Sequence, residues 1–217
     1  MTNPNKTLAV LIVDRSGSMS TVWDATVEGV NEFVSAQKAL PGEVVFHMAV
    51  FDDQYDVVYD FVNINDVKPL AVTDYFPRGM TGLLDAVGKT VTYVGAKLAA
   101  LPEDERPGKV IVAIQTDGGE NSSREWTFKS VTDLLDVQKK TYSWDFVFLG
   151  AGDLASAQAQ KIGIPSGKML NYNHTKGGTK AMASAVSNYV GVARSVSSSV
   201  SLESLGFSDE DRENAKK

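Results

Sequence analysis

The apolar run Leu8-Ala9-Val10-Leu11-Ile12-Val13, closed by Asp14, is the feature that most limits what this chain can fold into. It has no polar face, so a strand built from it must be covered on both sides, as the strands of parallel sheets are. A helix is expected next. Trp23, Val27, Val30 and Val34 recur at helical spacing, with Ser20 or Thr21 placed to cap and Asp24 in the first turn, and Pro41-Gly42 stops the run.

The same alternation continues along the chain. Val44 to Phe51 and Val57 to Ile64 read as strands joined by the short polar link Asp52-Asp53-Gln54-Tyr55-Asp56, which suggests a hairpin. Leu84, Val87, Val91, Val94, Leu98 and Leu101 form a helical stripe that Pro102 ends. Lys109 to Thr116 is a buried strand, Phe128, Val131 and Leu135 mark a helix, and Phe146 to Leu149 is a strand. A short helix over 154–161, a last strand over 168–172 and a helix carrying Met182, Ala185, Tyr189, Val192 and Val196 complete the series. The expected fold is α/β: a doubly wound, Rossmann-like, mostly parallel sheet with one antiparallel edge strand and helices on both faces. Trp23, Tyr93 and Tyr189 fall at apolar helical positions and are expected in the core.

A length of 217 residues suits a single domain, expected over 1–207, and the charged segment 208–217 is expected to be a frayed or disordered tail. The net charge of -6 argues against nucleic-acid or anionic-membrane partners. With no cysteine there is no disulfide, thiolate metal site or cysteine nucleophile. The start lacks signal-peptide organisation, and the first apolar run is too short to span a bilayer. A soluble cytoplasmic protein is expected, or one attached to a virus particle.

Two strand exits carry oxygen chemistry. In open α/β sheets ligands bind beyond the carboxyl ends of the strands. Asp14-x-Ser16-x-Ser18 leaves one strand and Thr116-Asp117-Gly118 leaves another, while Gly79-Met80-Thr81-Gly82 opens the helix of the Leu84 stripe. Asp14, Ser16, Ser18, Thr81 and Asp117 offer hydroxyls and carboxylates, and the pattern includes no histidine or cysteine, which disfavours zinc and copper. The expected ion is Mg²⁺, with Mn²⁺ or Ca²⁺ as substitutes. If neutral hydroxyls bind directly and one or both carboxylates act through water, the ion keeps charge at its open position. A partner's Asp or Glu carboxylate then becomes a favourable ligand.

Each piece alone has a plainer explanation. Ser-Gly-Ser after a strand is a turn with a helix cap, Thr81 is a helix N-cap, and Asp117-Gly118 is an ordinary turn. Three separated segments together favour the ion. Asp52 and Asp153 are candidates for supporting the site from outside it, whereas Asp85, Glu120 and Asn121 are better explained by capping and loop shape. His47 and His174 have no second histidine nearby and do not read as metal ligands. Thr175-Lys176-Gly177-Gly178-Thr179-Lys180 lacks the phosphate-loop pattern and reads as helix initiation.

These residues resemble the von Willebrand factor A (vWA) domain and its metal-ion-dependent adhesion site (MIDAS). The family's Asp-x-Ser-x-Ser matches Asp14, Ser16 and Ser18, its threonine matches Thr81, and its later aspartate matches Asp117. The match runs over roughly residues 7–200. The stretches Thr116 to Ser123 and Trp144 to Ala151 further resemble small stand-alone bacterial and bacteriophage members. The resemblance implies that Ser16, Ser18 and Thr81 touch the metal while Asp14 and Asp117 mainly hold waters on it. It also implies partner binding rather than catalysis.

The leading expectation is a Mg²⁺-dependent protein-interaction domain that is not an enzyme. A structural or assembly role, for instance in a phage particle, is an alternative. A Mg²⁺-dependent phosphohydrolase is disfavoured, because Ser16 stands where a haloacid-dehalogenase-type site needs a second acid and no general base is evident.

Overall fold

The leading apolar run lies inside β1 (Asn3–Asp14), near the middle of a six-stranded sheet. This computed structural model describes residues 1–197 and 200–217, with the side chains of 153 and 154 outside that description. The other strands are β2 (Glu43–Phe51), β3 (Tyr55–Asn63), β4 (Pro107–Thr116), β5 (Asp145–Ala151) and β6 (Met169–Tyr172). Their order is β3-β2-β1-β4-β5-β6, and every neighbouring pair is parallel except β2 with β3. The hairpin therefore supplies the one antiparallel edge strand.

The helices are α1 (Trp23–Ala39), α2 (Leu83–Ala100), α3 (Phe128–Tyr142), α4 (Gly152–Lys161), α5 (Lys176–Ser195) and α6 (Asp209–Asn214). Successive residues of β1 point to opposite faces. Ala9, Leu11 and Val13 join α1 and α5 in one core, whereas Leu8, Val10 and Ile12 join α2, α3 and α4 in the other. A continuous apolar run is what such double coverage requires. Among the described residues no helix is long and apolar enough to cross a membrane.

Three local expectations are corrected. Neither Ser20 nor Thr21 caps α1: both lie in a 3-10 turn over Gly17–Thr21, and the N-cap is Val22. Tyr93 stands at the surface, where its hydroxyl donates to Asp60 Oδ2 of β3 at 2.7 Å and so keeps a polar partner that the core would not offer. The segment 208–217, expected to be disordered, contains α6. Its capping box pairs Ser208 with Asp211, Ala215 is fully buried, and Arg212 donates to the Met169 carbonyl at 2.8 Å. Charge density over the segment concealed how few contacts suffice to dock one turn and a half of helix.

Candidate metal centre

β1 and β4 run parallel with Val13 opposite Gln115, so Asp14 and Thr116 leave the sheet side by side. The winding reverses here. α1 leads from β1 towards β2 on one side, and α3 leads from β4 towards β5 on the other, which opens a crevice at the carboxyl ends of the two central strands.

Asp14 is fully buried and accepts from the Ser16 backbone N–H at 2.6 Å and from Thr116 Oγ1 at 2.5 Å. Burial pushes its carboxyl up to about 6, against the opposing pull of the Thr116 and Ser16 hydrogen bonds. A cation beside it would offset that cost and keep the carboxylate ionised. Ser16 Oγ lies 3.2 Å from Ser18 Oγ, which is 2.8 Å from Asp117 Oδ1. In an octahedron with bonds of about 2.1 Å, neighbouring oxygens stand about 3.0 Å apart. Both distances bracket that edge.

Thr81 reaches the same rim from another loop. Its N–H donates to Asn121 Oδ1 at 2.9 Å and its carbonyl accepts from Asn121 N–H at 3.0 Å. It does not cap α2, whose N-cap is Gly82. A Cβ on Gly118 would stand 3.3 Å from Thr81 Oγ1 and 4.0 Å from Ser18 Oγ, so glycine keeps the gap between these hydroxyls open. Asp14, Ser16, Ser18, Thr81 and Asp117 thus gather around one crevice. Among the described residues no three His, Cys, Asp or Glu side chains cluster as a metal site, so any ion here would depend on the hydroxyls. The donor set fits a hard divalent ion.

The supporting residues act as braces. Glu120 accepts from the N–H groups of Ser122, Ser123 and Leu84, and Asp85 accepts from those of Arg124, Glu125 and Trp126. Burial alone would raise the Asp85 carboxyl, but these backbone donors hold it below its usual value. Asp52 is buried behind the loops of the crevice, with Oδ2 3.1 Å from Arg15 Nε and 2.8 Å from Arg78 Nε, and its carbonyl accepts from the Gly82 N–H at 2.8 Å. Arg15 also pairs with Asp56. Arg15 and Met19 turn away from Ser16 and Ser18, yet both are buried rather than exposed. The Asp153 side chain lies outside the described residues.

Sequence reasoning missed His174. Its Nε2 lies 3.0 Å from Asp117 Oδ2, on the oxygen opposite the one facing Ser18. Nothing near His174 in the chain signals this, because β6 and β4 are brought together only by the sheet.

No protein-family model and no curated protein sequence matches the chain. Solved structures do. The proximal thread matrix protein 1 of the mussel byssus, with a zinc-occupied MIDAS motif, superposes with a TM-score of 0.60 at 17% identity, covering 83% of this chain and 47% of that one. The von Willebrand factor type A structure from Catenulispora acidiphila gives 0.61 at 16% identity, covering 85% and 42%. The vWF domain of the pili tip protein Mfa5 from Porphyromonas gingivalis gives 0.61 at 10%, covering 88% and 96%.

The chain has the vWA fold. It spans less than half of the mussel protein and nearly all of the Mfa5 domain. The crevice described above lies at the carboxyl edge of the two central strands of this fold.

Proposed function

We propose that this vWA chain is a divalent-metal-dependent protein-binding domain. In this reading Asp14, Ser16, Ser18, Thr81 and Asp117 hold Mg²⁺, directly or through water, and a partner's Asp or Glu side chain completes the ion's coordination. The observation that carries the reading is the series Ser16 Oγ, Ser18 Oγ, Asp117 Oδ1, at spacings of 3.2 and 2.8 Å. Neutral hydroxyls leave the ion's charge incompletely quenched, which favours an incoming carboxylate. The metal supplies a positive charge at a shaped rim; the loops supply its orientation. A zinc-occupied MIDAS in the mussel protein supports a divalent ion in general.

The arrangement of Ser18, Asp117 and His174 argues for binding over catalysis. A hydroxyl nucleophile needs the imidazole against the hydroxyl, with the carboxylate behind it. Here the carboxylate stands between Ser18 and His174, so the imidazole is not in reach as a base for the serine through these contacts.

The test is capture of partners from native cells with and without Mg²⁺, with Asp14→Ala as control. Partner binding should disappear in chelator and in the variant, while circular dichroism shows the fold retained. Undiminished binding in excess chelator overturns the reading.

A further inference from the structure

Asp117 is held from both sides. Ser18 Oγ donates to Oδ1 at 2.8 Å, His174 Nε2 stands 3.0 Å from Oδ2, and the Asp117 side chain is only 2% exposed while that of His174 is 33% exposed. A carboxylate that serves an ion with one oxygen needs something to hold the other, and such supporting groups orient the ligand and tune its affinity.

The loop that carries His174 is itself fixed. The Asn173 N–H donates to the Ala215 carbonyl at 2.8 Å, and the Asn173 side-chain amide donates to the Lys216 carbonyl. On the other flank, Thr175 N–H donates to the Asn173 carbonyl at 2.7 Å, and Thr175 Oγ1 accepts from Gly178 N–H at 3.0 Å as the cap of α5. Of the three residues between β6 and α5, the two that flank His174 are thus pinned by the C-terminal segment and by the helix cap.

We propose that His174 is a positioning residue of the metal centre, pinned by the C-terminal segment that follows α6. Its Nε2–H holds Asp117 Oδ2 in the loaded protein, so that Oδ1 stays turned towards Ser18 and the ion. An imidazole acting as ligand would have to face the crevice; this one lies against the far oxygen of the carboxylate. The inference rests on the metal reading above and extends it to a residue outside the five-residue pattern.

Calorimetric titration of the full chain with Mg²⁺, and separately with Mn²⁺, tests it. His174→Ala should weaken both ions by about 10–100-fold, the usual effect of losing such a supporting group. His174→Gln, which keeps an N–H donor, should restore most of that loss, and Asn173→Ala should weaken binding in the same direction as His174→Ala. The melting temperature of each variant is measured alongside. Unchanged affinity in His174→Ala overturns the proposal. So does equal loss in the Ala and Gln variants with imidazole nitrogen coupling in the Mn²⁺ electron paramagnetic resonance spectrum, which makes His174 a ligand. Wild-type chain that binds neither ion overturns the metal reading itself, an outcome distinct from both.

Discussion

Arg15 lies between two residues of the metal pattern, and its side chain goes the opposite way. It is buried, its guanidinium meets Asp52 and Asp56, and it lies 5.6 Å from the Tyr75 ring centre. Asp52 also receives Arg78 Nε at 2.8 Å and the Gln54 N–H at 2.6 Å, so one carboxylate joins the loop of Asp14 to Ser18, the β2–β3 turn and the loop before Thr81. Removing it leaves Arg15 with only the half-exposed Asp56, and a buried charge stripped of a partner typically costs about 3 kcal/mol or more. Asp52→Ala should therefore lose about that much stability in urea unfolding; a loss well under 1 kcal/mol would show that Asp56 suffices. At this scale the alternation of Asp14, Ser16 and Ser18 was readable, since loop residues two apart can turn to one side. The destination of Arg15 was not, because its partners come from other loops.

Between elements, α1 and α5 meet closely at one glycine. A Cβ on Gly29 would stand 2.6 Å from the Ala183 Cβ, so the helices approach as closely as they do only because one of them has no side chain there. Gly29→Val should cost about 1–3 kcal/mol through overpacking, and Gly29→Ala combined with Ala183→Gly should recover most of what Gly29→Ala loses. Denaturant midpoints of the two single variants and the double variant decide this; additive losses would mean that the contact is not shared. The helices themselves were readable from spacing. Val27, Val30, Met182, Ala185 and Tyr189 show the 3.6-residue period and are buried, whereas Val192, expected on the same stripe, is exposed and Val196 falls just past the end of α5. Starts were read less well: the α1 cap fell on Val22, and α6 hid inside a charged segment, since a brief helix held by Arg212 and Ala215 leaves no apolar stripe.

Across the whole molecule, chemistry and anchoring occupy opposite ends of the sheet. At the start of β5, Lys168 Nζ lies 2.7 Å from Asp145 Oδ1 and Tyr189 donates to Asp145 Oδ2 at 2.6 Å, all three being buried. The rise of a strand sets this cluster about 20 Å from the carboxyl end of β5, beside the crevice. Lys168→Met should cost about 3–5 kcal/mol by leaving Asp145 without its cation. Metal affinity, measured well below the melting temperature, should stay as in the wild type; a fall matching that of His174→Ala would show that the two ends are coupled. The order of strands and helices, the double burial of β1 and the oxygen-rich loops after Val13 and Gln115 follow from the sequence by itself, because period and turn chemistry act over a few residues. The motif resemblance already grouped the loops of Ser16, Thr81 and Asp117, and tertiary structure alone decided what stands behind them. Placing β6 beyond β5 brought His174 against the Asp117 that β4 sets next to Ser18, and such a contact between distant segments depends on sheet order and helix packing, which no local pattern encodes.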